Sequence, residues 1–204
     1  MSPKPQSNGG DDVSHDRELG GKFLAALEGI DEECAGRVRL EGCPHCGGPL
    51  DRADFPRKPR GELGEAADGY QHRISLCCRS DGCRRRATPP SVRFLGRKVY
   101  IGALVVIASV IGRGALLVGR GRPREIRGVP VRTVRRWLTW WQLTFALLPF
   151  WSEARALFTA SVPIELLPTS LLESFGGDDA LRRALVFISP ITTTSVRARI
   201  GMAM

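Results

Sequence analysis

"CPHCGGPLDRADFPRKPRG", residues 43–61, sets a CxxC pair beside Arg52, Arg57, Lys58 and Arg60. "SLCCRSDGCRRRATPP", residues 75–90, repeats the combination, with Arg84, Arg85 and Arg86 after its cysteines. Between and around the two clusters, core-forming residues are sparse and Pro, Gly and charge are frequent. Below roughly 70 residues such a segment needs an external staple, and a metal ion is one standard solution.

The cysteines are suited to that task. In Cys43-Pro-His-Cys46-Gly-Gly, proline and glycine let the backbone turn tightly, which points amides at the thiolates and turns both sulfurs toward one cation. The segment is similar to a zinc knuckle. Tetrahedral Zn²⁺ needs four ligands at about 2.3 Å, so a second pair must come from Cys77, Cys78 and Cys83. Cys78 with Cys83 is preferred, because Cys78-Arg-Ser-Asp-Gly-Cys83 makes a turn with Asp-Gly at its tip. Cys77 remains the alternative; otherwise it points to the opposite strand face. The CxxxxC spacing and the long gap depart from the commonest template, but loop-closure cost grows only logarithmically with length. His45 lies between two ligands and should project outward, and His72 is a further substitute for a thiolate. A redox CxxC would open a helix in a βαβ unit, which is not visible here. Disulfides would need an oxidising compartment. One structural Zn²⁺ is therefore expected, its coordination closed by four thiolates and so not catalytic.

The whole chain carries 30 Lys and Arg against 21 Asp and Glu, a net charge of +9 with a pI near 9.9. That balance favours polyanionic partners. Residues 1–20 are polar and read as a disordered tail with no secretory h-region, so a cytoplasmic, nucleoid-associated location is expected. Residues 21–35 form a short amphipathic helix through Phe23, Leu24, Leu27 and Ile30, with Cys34 as a packing residue. Residues 36–96 are the ribbon, with strands in "GGPLDRADF" and "YQHRISLCC". Residues 97–190 form a helical domain, and 191–204 a flexible C-terminus. The fold class is α+β: a small β domain followed by an all-α domain. "YIGALVVIASVIGRGALLVG", residues 100–119, has an apolar core from Ile101 to Ile111. At 1.5 Å per residue this is too short for a bilayer of roughly 30 Å, and a buried helix is the better reading. The rival is a membrane-associated or protein-interaction module built on that segment.

"GRPREIRGVPVRTVRRWLTWWQLTFALLPF", residues 121–150, reads as a short helix "PREIRG", a "GVP" turn and a longer helix over about 131–147. Val134, Leu138, Trp141, Phe145 and Leu148 keep the helical period and should face inward. Arg132, Arg135 and Arg136 then lie outward in the first turns, where a recognition helix needs its side chains. Arginine suits both guanine and phosphate. Eight arginines (113, 120, 122, 124, 127, 132, 135 and 136) are opposed only by Glu125. Trp137, Trp140 and Trp141 are read as packing residues.

The stretch "GVPVRTVRRW" resembles the turn and recognition helix of bacterial helix-turn-helix proteins. With the ribbon pattern CPxCG…C…CRR and "TPPSVRFLGRKVY" ahead of it, residues 43–145 are similar to the N-terminal DNA-binding region of bacterial insertion-sequence transposases. That resemblance implies recognition of element ends. Those transposases continue into a core of three Mg²⁺-binding carboxylates, which the residues beyond 150 do not supply. Glu153, Glu165, Glu173, Asp178 and Asp179 sit at helix starts and turns, where capping accounts for them: Ser170 to Glu173 as a capping box, Asp178 as an N-cap.

The expected protein is thus not an enzyme but a binder of double-stranded DNA, an accessory to transposition or a transcriptional regulator. Arg57, Lys58, Arg60, Arg84, Arg85 and Arg86 would dock on phosphates, while Arg132, Arg135 and Arg136 read the groove. A separate transposase or recombinase and a second copy of the chain are the expected partners, with no small-molecule substrate. Nothing at the ribbon separates DNA from RNA.

Overall fold

A computed structural model describes residues 19–60, 70–96, 98–118 and 124–193. The expected N-terminal tail up to residue 18, most of the loop at 61–69, Arg120 and Arg122, and the C-terminal segment from 194 lie outside the described residues.

Helix α1, Gly21–Glu41, buries Leu24, Leu27, Asp31, Cys34, Ala35 and Val38, a stripe at three- and four-residue steps. It runs past the expected end at residue 35. Val38 continues the stripe, and no residue stops the helix before Gly42, whose φ of +80° suits glycine. A side chain there would also meet the Gly47 carbonyl oxygen at 2.8 Å. At 1.5 Å per residue α1 is about 30 Å long, long enough to serve two cores.

The first core is small. Strands β1 (Leu50–Arg52), β4 (Leu76–Cys78) and β5 (Arg86–Ala87) form an antiparallel sheet in the order β1–β4–β5. Beside it β2 (Phe55–Pro56) pairs with β3 (His72–Arg73). The buried side chains are Val38, Cys43, Leu50, Leu76, Cys78 and Ala87, with Cys83 packed against them. Two of the six are cysteines, so apolar burial alone contributes little here.

The second core is helical. Helix α2 (Gly102–Val118) is buried from Ala103 to Ala108, as expected of an interior helix. Among the described residues, no helix is long and apolar enough to cross a membrane. Helix α3 (Val131–Leu143) packs on α2 through Val134, Trp137 and Trp141. Short helices α4 (Pro149–Ala154), α5 (Thr169–Phe175) and α6 (Ala180–Ile188) close the core. Trp141, Phe145, Trp151, Phe158 and Phe187 build an aromatic cluster between them.

The segment ahead of α3 is not the expected short helix. Glu125–Ile126 (β6) and Val129–Pro130 (β7) form a two-stranded hairpin. Arg127 and Gly128 make its turn, with φ of +54° and +67°. Two positive φ values in a two-residue loop match the twist of paired strands. Ile126 and Val129 are buried opposite each other. The helix preceding α3 is therefore α2, and a hairpin separates the two. The expected caps also differ. Ser170 Oγ donates to the Pro163 carbonyl at 2.8 Å instead of capping α5, and the N-cap of α6 is Asp179, not Asp178.

A buried polar joint ties α1 to the segment between the sheet and α2. Asp31 accepts hydrogen bonds from Ser91 Oγ at 2.6 Å, the Val92 amide at 2.7 Å and Arg93 Nε at 2.9 Å. Nearby the buried Arg73 guanidinium donates to the carbonyls of Ile74 and Pro89, and its burial lowers its pKa to about 10.

Candidate metal centre

Each half of the site is shaped by its backbone. The Cys43 amide donates to Gly48 O and the Gly47 amide to Cys43 O, both at 2.8 Å. Gly47 takes a φ of +72°. In the second half the Cys78 amide donates to Arg85 O at 2.9 Å, and the Cys83 amide to Ser80 O at 3.2 Å. Gly82, at the tip of that turn, has a φ of +81°. Strand β1 holds the halves together, since Leu50 is in register with Cys78. They meet closely: a side chain on Gly48 would come within 2.0 Å of Ser80 Oγ.

The sulfurs of Cys43, Cys46, Cys78 and Cys83 all lie within 4.8 Å of one another. Cys43 and Cys83 are 3.7 Å apart, and Cys46 and Cys78 are 3.5 Å apart. Four ligands at about 2.3 Å from a tetrahedral ion stand about 3.8 Å from each other. The donor set therefore has the size of a metal site and could hold an ion. Cys43 and Cys78 are buried, Cys46 is exposed and Cys83 lies between. The Gly48 amide, followed by the Cys78 thiol, lowers the pKa of Cys46. At Cys83 the Arg85 amide acts in the same direction, but burial and the neighbouring thiols prevail and push it up to about 12. Four thiolates this close repel one another, and a cation removes that penalty.

Strand pleating separates the two cysteines that the sequence left open. Leu76 and Cys78 are buried on one face of β4, whereas Cys77 is half-exposed on the other. Its Sγ lies 3.5 Å from the Arg84 carbonyl oxygen and outside the four-sulfur group. Cys34 is buried, with Arg37 Nη2 donating to its sulfur at 3.2 Å. His45 is exposed and accepts from Arg85 Nη1 at 3.2 Å. His72 is exposed on β3.

The basic residues divide into clamps and free surface. Arg57 is half-buried: its Nη2 donates to the Gly96 and Lys98 carbonyls at 3.1 and 2.7 Å, and its guanidinium lies over Phe94. Arg86 Nη1 donates to Ala53 O at 2.7 Å. Arg113, on α2, donates to Leu167 O at 2.6 Å. These three hold backbone. Lys58, Arg60, Arg84 and Arg85 are exposed, Arg86 is exposed as well beside its backbone contact, and so are Arg132, Arg135 and Arg136 on the outer face of α3. Lys98 was missed at the sequence level, where residues 97 onward read simply as helical. It precedes α2 instead, with its ammonium 4.1 Å from the centre of the Trp140 ring. The adjacent Arg97-Lys98 pair was the only signal for it.

Comparison with protein-family models, curated proteins and solved structures gives no match to this chain.

Proposed function

We propose that the chain is a zinc-dependent double-stranded DNA-binding protein, acting as a transposition accessory protein or a transcriptional regulator. In this reading the four cysteines and the strands between them, within residues 36–96, are a zinc ribbon. Four thiolates at tetrahedral spacing favour a soft, borderline ion, and Zn²⁺ meets that description without redox chemistry. A closed Cys₄ set leaves no position for substrate at the ion, so the ion's role is structural and no catalysis is assigned to it. Helix α3, carried on α2 behind the β6–β7 hairpin, is the element that enters the groove.

The observation that carries the reading is the row Arg132, Arg135 and Arg136. All three are exposed on a helix whose opposite face is locked into the core, and none is ion-paired among the described residues. Arg136 donates weakly to Thr133 Oγ1 at 3.4 Å. A helix packed on its inner face and offering exposed guanidinium groups without carboxylate partners among the described residues suits phosphate and guanine contacts. Binding of a labelled duplex by the full chain, followed by fluorescence anisotropy, tests it. Arg135→Ala with Arg136→Ala should weaken binding by tenfold or more, at about 1–3 kcal/mol for each lost base contact, and leave zinc content unchanged. Unaltered affinity removes α3 from the interface.

A further inference from the structure

The segment ahead of α2 lies between the two basic surfaces. On the ribbon side Arg57 fixes the carbonyls of Gly96 and Lys98, and the Arg60 amide donates to Val99 O at 2.8 Å. On the helical side Tyr100 packs edge-on against Trp137 at 5.1 Å, and Lys98 covers Trp140. A pocket of about 410 Å³ opens here, lined by Leu95, Gly96, Lys98, Trp140 and Ile191.

Three properties say what this pocket would hold. Lys98 is half-buried, and among the described residues its ammonium meets only the Trp140 π face, with no carboxylate. Burial lowers its pKa accordingly. A partly desolvated cation of this kind gains from an anion. Second, Leu95, Trp140 and Ile191 are apolar walls that a bare inorganic anion would leave unused, and the volume falls in the range of small-ligand sites. Third, Arg132, Arg136 and Trp140 follow one another at four-residue steps on α3, so they share one side of the helix. A strand lying along those arginines reaches the pocket.

We propose that this pocket receives one unpaired nucleotide, its phosphate on Lys98 and its base against Trp140, Leu95 and Ile191. The phosphate draws the ammonium off the indole, and the base stacks in its place. A base held in a duplex cannot enter, so the pocket favours DNA with a single-stranded or extrahelical nucleotide, whose base is free to stack on an aromatic side chain. The inference rests on the DNA-binding reading, and the test separates the two.

The full chain is titrated with a blunt duplex, with the same duplex carrying a short thymidine overhang, and with thymidine monophosphate alone. Duplexes are followed by anisotropy and the mononucleotide by tryptophan fluorescence. The overhang should tighten binding about tenfold, the worth of one stacked base. Lys98→Met should bring that ratio close to one, while Lys98→Arg, which keeps the charge, restores it and guards against misfolding. Lys98-dependent quenching by thymidine monophosphate without an overhang preference assigns the same site to a free nucleotide. An overhang ratio and a mononucleotide response that both ignore Lys98→Met overturn the pocket while leaving duplex binding standing. Lys98-dependent mononucleotide binding with no duplex binding retains the pocket and removes the DNA reading.

Discussion

Asp31→Ala is expected to be the most damaging single substitution outside the sulfur cluster. The carboxylate is 1% exposed and accepts three hydrogen bonds, from Ser91 Oγ, the Val92 amide and Arg93 Nε. Removing it takes a buried carboxylate from Arg93, itself 2% exposed; the Glu28 carboxylate at 3.3 Å is 43% exposed and correspondingly weak as a replacement. Breaking a buried pair from one side costs about 3–5 kcal/mol. The two neutral donors add to this, though not additively, and about 4 kcal/mol is a fair total. Against a typical stability of about 5–15 kcal/mol the variant is marginal. At about 2–4 °C per kcal/mol for a chain of this size, its melting temperature should fall by roughly 8–16 °C. Thermal and urea melts followed by far-UV circular dichroism measure this, at fixed metal occupancy. Asp31→Leu with Arg93→Met should recover much of the loss, since replacing a whole buried pair with apolar groups is often neutral. A loss below about 1 kcal/mol for Asp31→Ala, or simple additivity in that cycle, would refute the idea that this pair locks α1 in place.

Other perturbations separate the remaining assignments. Cys78→Ser should release the metal and unfold the sheet around it, whereas Cys77→Ser should keep one equivalent of zinc; elemental analysis of both variants decides between them. Gly112→Ala should destabilise by about 1–3 kcal/mol, because its new methyl would stand 2.5 Å from Val134 Cγ1 at the α2–α3 contact. A urea midpoint equal to that of the parent would show that α3 is free to shift. Duplex affinity should fall with salt at a log–log slope of about −0.9 per phosphate contact, and Lys58→Ala with Arg84→Ala should flatten that slope.

Much of the candidate metal centre was legible because cysteines are few and their chemistry demands company. The sequence favoured Cys78 over Cys77 without fixing the choice, since it depends on which strand residue shares a face with Leu76, and register is set by pairing with β1. The hairpin before α3 was hidden for a different reason. A two-residue turn with positive φ at both positions usually announces itself as Asn-Gly or Asp-Gly, but here Arg127 takes the first position. The sequence "PREIRG" then looks like a helix start. Charge counting left a third distinction undrawn. It grouped Arg57 and Arg86 with the other expected phosphate contacts, and in the structure both also donate to backbone carbonyls. An arginine serves as surface or as clamp depending on the nearest unsatisfied backbone, and composition does not carry that distance.

These clamps connect the metal centre to α3 through contiguous packing. The sulfur cluster gathers the two turns that flank β1 and β4. Past β1 the chain runs through β2 to Arg57, and Arg57 holds the carbonyls of Gly96 and Lys98. From there Lys98 and Tyr100 rest on Trp140 and Trp137, two side chains of the proposed groove-binding helix. Helix α1 supplies a second connection, with Val38 in the small core and Leu24 and Leu27 in the large one. An ion held by the four sulfurs would stiffen the first of these routes at its origin, where the small core has few apolar side chains of its own. On the proposed reading, a structural metal held there would also set how firmly Lys58, Arg60 and α3 are held against each other, and so whether a single duplex could meet both.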